Sequence, residues 1–195
     1  MKEEYLLNGI AIVGLNGSGK STLAHALAKE LGYWEMDVED YYFPDQRASR
    51  RSALEGLPIL RDEKAAVPFS APIPKPEAEA AILADMEKHP RFVFSGVALD
   101  WEPRILSYIE IVFFLQVPKE ERIRRIHERE EKRFGPRVLP GGDMFAQQAA
   151  FLRTVSSREE RMVPDSLAGL TCPIVPLDGT LPVSEMIRQM LKKLI

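Results

Sequence analysis

Apolar residues fall into five short runs of strand length, separated by longer stretches whose apolar positions recur every three or four residues. The runs are Ile10–Val13, Tyr33–Met36, Phe92–Ser95, Glu110–Val117 and Ile174–Leu177. Leu23, Leu27 and Leu31 mark a helix that Gly32 should stop. A second helix, from about Pro76 to Lys88, presents Ala80, Ile82, Leu83 and Met86. A third begins after Pro118 and carries arginines as far as Arg133. The run Phe134–Gly142, rich in glycine and proline, breaks it. Asp143 is placed to N-cap a fourth, with Met144, Phe145, Gln148, Phe151, Leu152 and Val155 at helical spacing. After Pro182 a last helix carries Met186, Ile187, Met190, Leu191 and Leu194, methionines at core spacing. From Tyr41 to about Pro76, Pro44, Pro58, Pro68, Pro72, Pro74 and Pro76 predict short helices and loops rather than strands. Strands alternating with helices predict α/β layering around a parallel sheet.

A chain of 195 residues is expected to form one domain with a sizeable core. Its net charge of −3 gives no general attraction to nucleic acid or to an anionic membrane, so neither is expected as a partner. The longest plainly apolar stretch, Ile111–Leu115, is too short to span a bilayer. Met1–Tyr5 carries acids and leads directly into the first strand, so no signal peptide is expected. Cys172 is the only cysteine, which excludes an intrachain disulfide and fits a reducing, cytoplasmic setting. His25, His89 and His127 are scattered, and no cluster of Cys, His and acids has zinc spacing.

The sharpest chemical signal lies between the first strand and the first helix, where Gly14, Asn16, Gly17, Ser18, Gly19, Lys20, Ser21 and Thr22 belong to G-x-x-x-x-G-K-S-T. Glycines let the backbone curl until several N–H groups face one phosphate, and the helix N-terminus adds its positive end. Lys20 can reach β- and γ-phosphates, and the Ser21 hydroxyl suits a bridging Mg2+. A guanine clamp of the N-K-x-D type is absent, because neither Asn8 nor Asn16 precedes a lysine. Leu139–Asp143 echoes a transporter-ATPase signature but lacks the apolar strand that should follow.

Phosphoryl transfer to a small molecule also requires an acceptor-orienting group, cations for the migrating charge and a cover. Asp37, at the carboxyl end of the second strand, is the candidate for the first; Asp40 fits a helix N-cap better. Arg122, Arg125, Arg129 and Arg133 form one helical stripe. Pairs Glu120–Arg124, Glu121–Arg125 and Glu128–Lys132 explain part of the charge as a solvated face. Arg122 and Arg129 have no acid three or four residues away. Arg129 and Arg133 are therefore the favoured phosphate or transition-state contacts, with Arg122 and Arg137 behind them. Tyr41, Tyr42, Phe43 and Trp101 are available to stack on a planar acceptor, though packing is the commoner use of such residues.

With these residues in view, the chain resembles the adenylate-kinase and shikimate-kinase group of P-loop small-molecule kinases. The likeness runs through Ile10–Leu31, Pro118–Arg137 and Cys172–Thr180. Asp37–Phe43 together with Arg133–Asp143 is similar to uncharacterised bacterial adenylate-kinase-like ATPases. The resemblance implies a three-layer P-loop NTPase fold, its five-stranded parallel sheet in the order 2-3-1-4-5. It also implies an acceptor region at about 38–76 and a lid at about 129–143. ATP is the implied donor, with Leu177–Thr180, including Gly179, beside the adenine and the lid arginines closing on the phosphates. Two departures stand out. The third strand ends in Ser95-Gly96 where many relatives have aspartate, and Gln46–Arg51 is basic without a nucleoside-monophosphate signature. The expected activity is ATP- and Mg2+-dependent transfer to a nucleoside monophosphate, nucleoside or other small hydroxyl compound, by a monomer or homodimer. A nucleotide-dependent regulatory module without an acceptor is the alternative.

Overall fold

Strand β1 (Gly9–Val13) is buried at every position, and its alternate side chains feed two separate cores. Ile10 and Ile12 point to one face of the sheet, Ala11 and Val13 to the other. The computed structural model describes residues 7–55 and 71–195. Expectations for Met1–Tyr5, for Pro58 and Pro68, and for the middle of the acceptor region lie outside the described residues.

The sheet comprises β1, β2 (Trp34–Asp37), β3 (Phe92–Gly96), β4 (Ile111–Gln116) and β5 (Ile174–Asp178), all parallel in the order β2-β3-β1-β4-β5. On the Ile10/Ile12 face, α1 (Lys20–Leu31) and α9 (Val183–Leu191) bury Leu23, Leu27, Met186 and Met190. On the opposite face lie α2 (Val38–Tyr42), α4 (Lys75–Lys88), α5 (Pro103–Ser107) and α8 (Met162–Leu167). They contribute Tyr41, Ala78, Ile82, Met86, Ile105, Val163 and Leu167 to that core. Between α2 and α4 the described chain forms a 3-10 turn at Pro44–Gln46 and α3 (Arg47–Leu54). The arginine-rich α6 (Lys119–Phe134) follows β4, and α7 (Phe145–Ser156) packs beside it.

Chain order places β3 and β4 on opposite sides of β1, so the crossovers diverge at its carboxyl end. A ligand crevice opens at such a point in a parallel sheet. Gly32 takes φ 70° and ends α1 as expected.

Several expectations need correction. Asp143 does not cap α7; Met144 holds the N-cap position, and the Asp143 carboxylate is turned to Arg137. On α6, Glu121 pairs with both Arg124 and Arg125, and Arg124 also takes Glu128, replacing the Glu120–Arg124 and Glu128–Lys132 pairs. Arg124 lies on the same helical face as both acids, three residues after Glu121 and four before Glu128. Helices α5 and α8, five and six residues long, carry too few apolar positions to display a helical period in the sequence. Among the described residues no helix is long and apolar enough to cross a membrane.

Candidate nucleotide-binding and transfer site

The loop between β1 and α1 has a shape only glycine permits at two points. Gly17 and Gly19 take φ of 81° and 94°. A Cβ on Gly17 would stand 2.3 Å from the carbonyl oxygen of Arg122, whereas one on Gly19 would meet nothing nearer than 3.8 Å. Gly14 is excluded from side chains by neighbours rather than by φ, since its Cβ would lie 2.8 Å from both Leu115 O and Ser18 Oγ. The Ser18 amide donates to Leu15 O at 3.1 Å and closes the turn. No side chain caps α1 at Gly19, so an anion can take that role at its amides. Ser18 Oγ is buried with no hydrogen-bond partner among the described residues.

Lys20 occupies the first position of α1 and is buried. Desolvation pushes its pKa down, the Glu39 and Asp37 carboxylates raise it, and Arg129 and Arg158 lower it further. The loop, the second strand and the later arginines therefore share one electrostatic neighbourhood. Ser21, next on α1, lies near enough to the Asp37 carboxylate for its hydroxyl to pull that group's pKa down. Thr22 is exposed on the same turn.

Asp37 ends β2 in register with Ser95 of β3, which in turn pairs with Ile12 of β1. Its Oδ1 accepts the Glu39 amide at 2.9 Å, so Asp37, not Asp40, caps α2. Burial and then the Glu39 charge push the Asp37 carboxyl above its usual range; Ser21, the Glu39 amide and Lys20 pull it back. Asp40 is instead bound to Arg50, with Arg47 at 3.5 Å. At the end of β3, Ser95 Oγ is buried without a hydrogen-bond partner among the described residues, and Asp37 stands opposite it on β2.

The arginine stripe divides by function. Arg122 is buried and braces the loop from below, donating through Nε to Val117 O at 3.1 Å and through Nη1 to Asn16 O at 3.4 Å. Its Nε and Nη1 are thus turned to backbone carbonyls, a bracing position beneath the loop rather than the phosphate-facing one expected from the sequence. Arg125 ties the loop to the segment after β5, reaching Ser18 O at 3.3 Å and Gly179 O at 3.0 Å. Gly179 is held against β4: its amide donates to Gln116 O at 2.8 Å, and a Cβ there would lie 2.4 Å from Val117 Cγ2. Arg129 is exposed, pairs with Glu130 at 2.7 Å and acts on Lys20. Arg133 is depressed by burial, feels Glu130, Arg129, Arg50 and Glu39, and lies over the Phe134 ring. Arg137 makes a two-point pair with Asp143. The structure thus brings Lys20, Ser21, Asp37 and, through their charges, Arg129 into one neighbourhood. Arg133 lies toward Glu39, and Arg137 is occupied by Asp143.

Three participants escaped sequence reasoning. Glu39 had a usable signal, an acid two residues beyond Asp37. Arg125 had none, because Glu121 already explained it as a surface pair. Arg158 lies on the connection between α7 and α8 and donates to Asn16 Oδ1, a proximity of residues far apart in sequence that no local pattern reveals. Of the aromatic candidates, Tyr41 is structural, its hydroxyl donating to Asp85 at 2.7 Å. Tyr42 and Trp101 pack at 5.9 Å.

Comparison with known proteins gives the chain's family and its likeness in fold. The profile of a family described as AAA domain matches residues 10–137. The chain is 27% identical over 190 residues to the uncharacterized protein YqaC of Bacillus subtilis, covering 93% of this chain and 94% of that one. It is 28% identical over 196 residues to a shikimate kinase of Thermosynechococcus vestitus, covering 91% and 99%. Among solved structures, a gluconokinase from Sinorhizobium meliloti superimposes with a TM-score of 0.56 at 21% identity, covering 98% of this chain and 93% of that one. A deoxyadenosine kinase from M. mycoides gives 0.53 at 18%, covering 95% and 98%. The likeness to these two structures is one of fold: a parallel sheet in the order 2-3-1-4-5 with helices on both faces.

Proposed function

The chain belongs to the AAA domain family, and from that premise we propose that it is an ATP- and Mg2+-dependent phosphotransferase acting on a small-molecule acceptor. The observation that carries this reading is the convergence of Lys20, Ser21 and Asp37 at the carboxyl ends of β1 and β2. A loop built only to hold nucleotide needs the first two; a buried carboxylate beside them adds a group that can orient or deprotonate an acceptor.

In this mechanism the amides of residues 14–20 and the Lys20 ammonium hold the phosphate oxygens and stabilise the charge that develops on the γ-phosphoryl. Ser21 and Asp37, two hard oxygen donors on neighbouring elements, would hold Mg2+, which would supply positive charge to the phosphates. Arg129 and Arg133 approach from α6, and closure of about 129–143 over the site would bring their guanidiniums onto the phosphoryl and exclude water. Arg137 joins them by exchanging Asp143 for phosphate. Gly179 and its neighbours border the base, held to the loop by Arg125. The acceptor enters over α2 and about 38–76, within one domain spanning 1–195.

The test is phosphoryl transfer from Mg·ATP, with Lys20→Ala as blank. Transfer lost in the blank while its fold persists is the expected result. Equal turnover in both would remove the proposal. Tight ATP binding by the native chain without transfer to any acceptor would favour a regulatory module.

A further inference from the structure

We propose, building on the phosphotransferase reading, that Arg122 and Arg125 are positioning residues. Each pins one carbonyl of the phosphate loop and thereby turns the amide that follows, that of Gly17 or Gly19, toward the phosphate. Neither guanidinium has to touch the nucleotide to act.

A planar trans peptide unit points its C=O and its N–H in opposite directions, and none of the described peptide bonds is cis. Whatever holds the carbonyl therefore aims the amide. Arg122 Nη1 donates to Asn16 O at 3.4 Å, which sends the Gly17 N–H to the opposite side of the loop. Arg125 Nη1 donates to Ser18 O at 3.3 Å and does the same for the Gly19 N–H. Between them the Ser18 amide is spent on Leu15 O at 3.1 Å, inside the turn. The Gly17 and Gly19 amides have no backbone partner among the described residues. Amides aimed in this way, at the start of α1, form a concavity for an oxyanion.

Glycine makes the grip matter. With φ of 81° and 94°, Gly17 and Gly19 lie where the backbone has the greatest freedom to turn its peptide planes. The brace itself is held at both ends. Arg122 and Arg125 are three residues apart on α6 and share one face of it. Arg122 is buried, its Nε donates to Val117 O at 3.1 Å, and its own carbonyl oxygen stands 2.3 Å from the place of a Cβ on Gly17. Arg125 is fixed by Glu121 at 2.7 Å and by Gly179 O at 3.0 Å. A cationic donor also polarises the peptide it grips, which strengthens the N–H at the other end of the unit as a donor. The cradle is thus set before nucleotide arrives, and its ordering belongs to folding rather than to binding.

Orientation and binding are measured separately, on the native full chain and on Arg122→Met and Arg125→Met. Residual dipolar couplings of the ligand-free protein report the direction of each N–H. Amide shifts during titration with inorganic tripolyphosphate report occupancy of the loop without a nucleotide base. The expected pattern is crossed: Arg122→Met changes the Gly17 coupling and Arg125→Met the Gly19 coupling, with the couplings of β1 preserved in both. Each variant should bind tripolyphosphate about tenfold more weakly, the scale of one hydrogen bond. Arg125 is partly exposed, so Arg125→Met keeps the test open if Arg122→Met does not fold.

Weaker binding with both couplings unchanged would show the arginines acting through charge alone and would overturn the inference. So would a change spread evenly over residues 14–20, or couplings that move while affinity stays the same. Each of these results leaves the phosphotransferase reading standing. A native chain whose loop amides respond neither to tripolyphosphate nor to Mg·ATP would overturn that reading, and the inference with it.

Discussion

Arg122 Nη1 donates to the carbonyl oxygen of Asn16 at 3.4 Å, from a side chain buried beneath the phosphate loop. The same residue's own carbonyl lies where a side chain on Gly17 would have to go. The first turn of α6 and the loop are thus in contact through both donor and acceptor groups. Arg122→Met should leave the Asn16 and Val117 carbonyls without a donor and cost about 2–4 kcal/mol of stability. Urea unfolding measures the cost, and ATP titration should show weaker binding because the loop loses its brace. Unchanged stability would mean that the brace contributes nothing.

The two left-handed glycines should respond differently to alanine. Both substitutions meet the backbone penalty of about 1–2 kcal/mol. Gly17→Ala adds a 2.3 Å collision with a carbonyl, whereas Gly19→Ala enters open space. Thermal unfolding should rank Gly17→Ala well below Gly19→Ala, and equal melting temperatures would contradict the packing described.

Asp37 links function to pH. Because folding raises its pKa above the ordinary 3.8, the folded chain keeps a proton there after the unfolded chain has lost it. The stability contributed by this group is complete below its ordinary value and is lost as pH rises through the raised value. Asp37→Asn retains an oxygen to cap α2 and cannot ionise. It should therefore melt above the native chain at neutral pH, with the gap closing in acid, while transfer is abolished. Calorimetry across pH reads the first effect and a transfer assay the second; a variant less stable at neutral pH would reverse the sign argued here.

Arg50 and Asp40 offer a coupling test. Their pair is largely shielded from water, with side chains 14% and 18% exposed. Arg50→Met alone leaves a half-buried carboxylate without its main partner and should cost about 2 kcal/mol. Adding Asp40→Asn should recover about half of that loss in a double-mutant cycle. Strict additivity of the two substitutions would show the pair to be energetically idle.

Arg158 tests the contribution of the chain beyond α7. Its charge bears on Lys20, and its guanidinium rests on the Asn16 side chain. Arg158→Ala should lower kcat by about tenfold to a hundredfold if it follows the phosphoryl, with global stability nearly unchanged. Loss of stability without loss of turnover would make it a structural tie only.

Local chemistry carried the loop, the alternation of strands and helices, and the place of Asp37. Glycine at fixed spacing before Lys20-Ser21, apolar runs of strand length and an acid at a strand end act over a few neighbouring residues, so they can be read in order. Resemblance to the kinase group supplied the strand order, which the described sheet matches. The fate of individual charges required the tertiary structure. Arg122 and Arg129 look alike along the helix, yet one is buried under Asn16 and the other is exposed beside Glu130. Asp37 takes the cap expected of Asp40, and Arg50 on α3 claims the Asp40 carboxylate instead. Arg158 and Asn16 meet across the fold. A charged side chain takes the partner that packing brings within about 3 Å, and long-range packing is a property of the whole folded chain rather than of any window of its sequence.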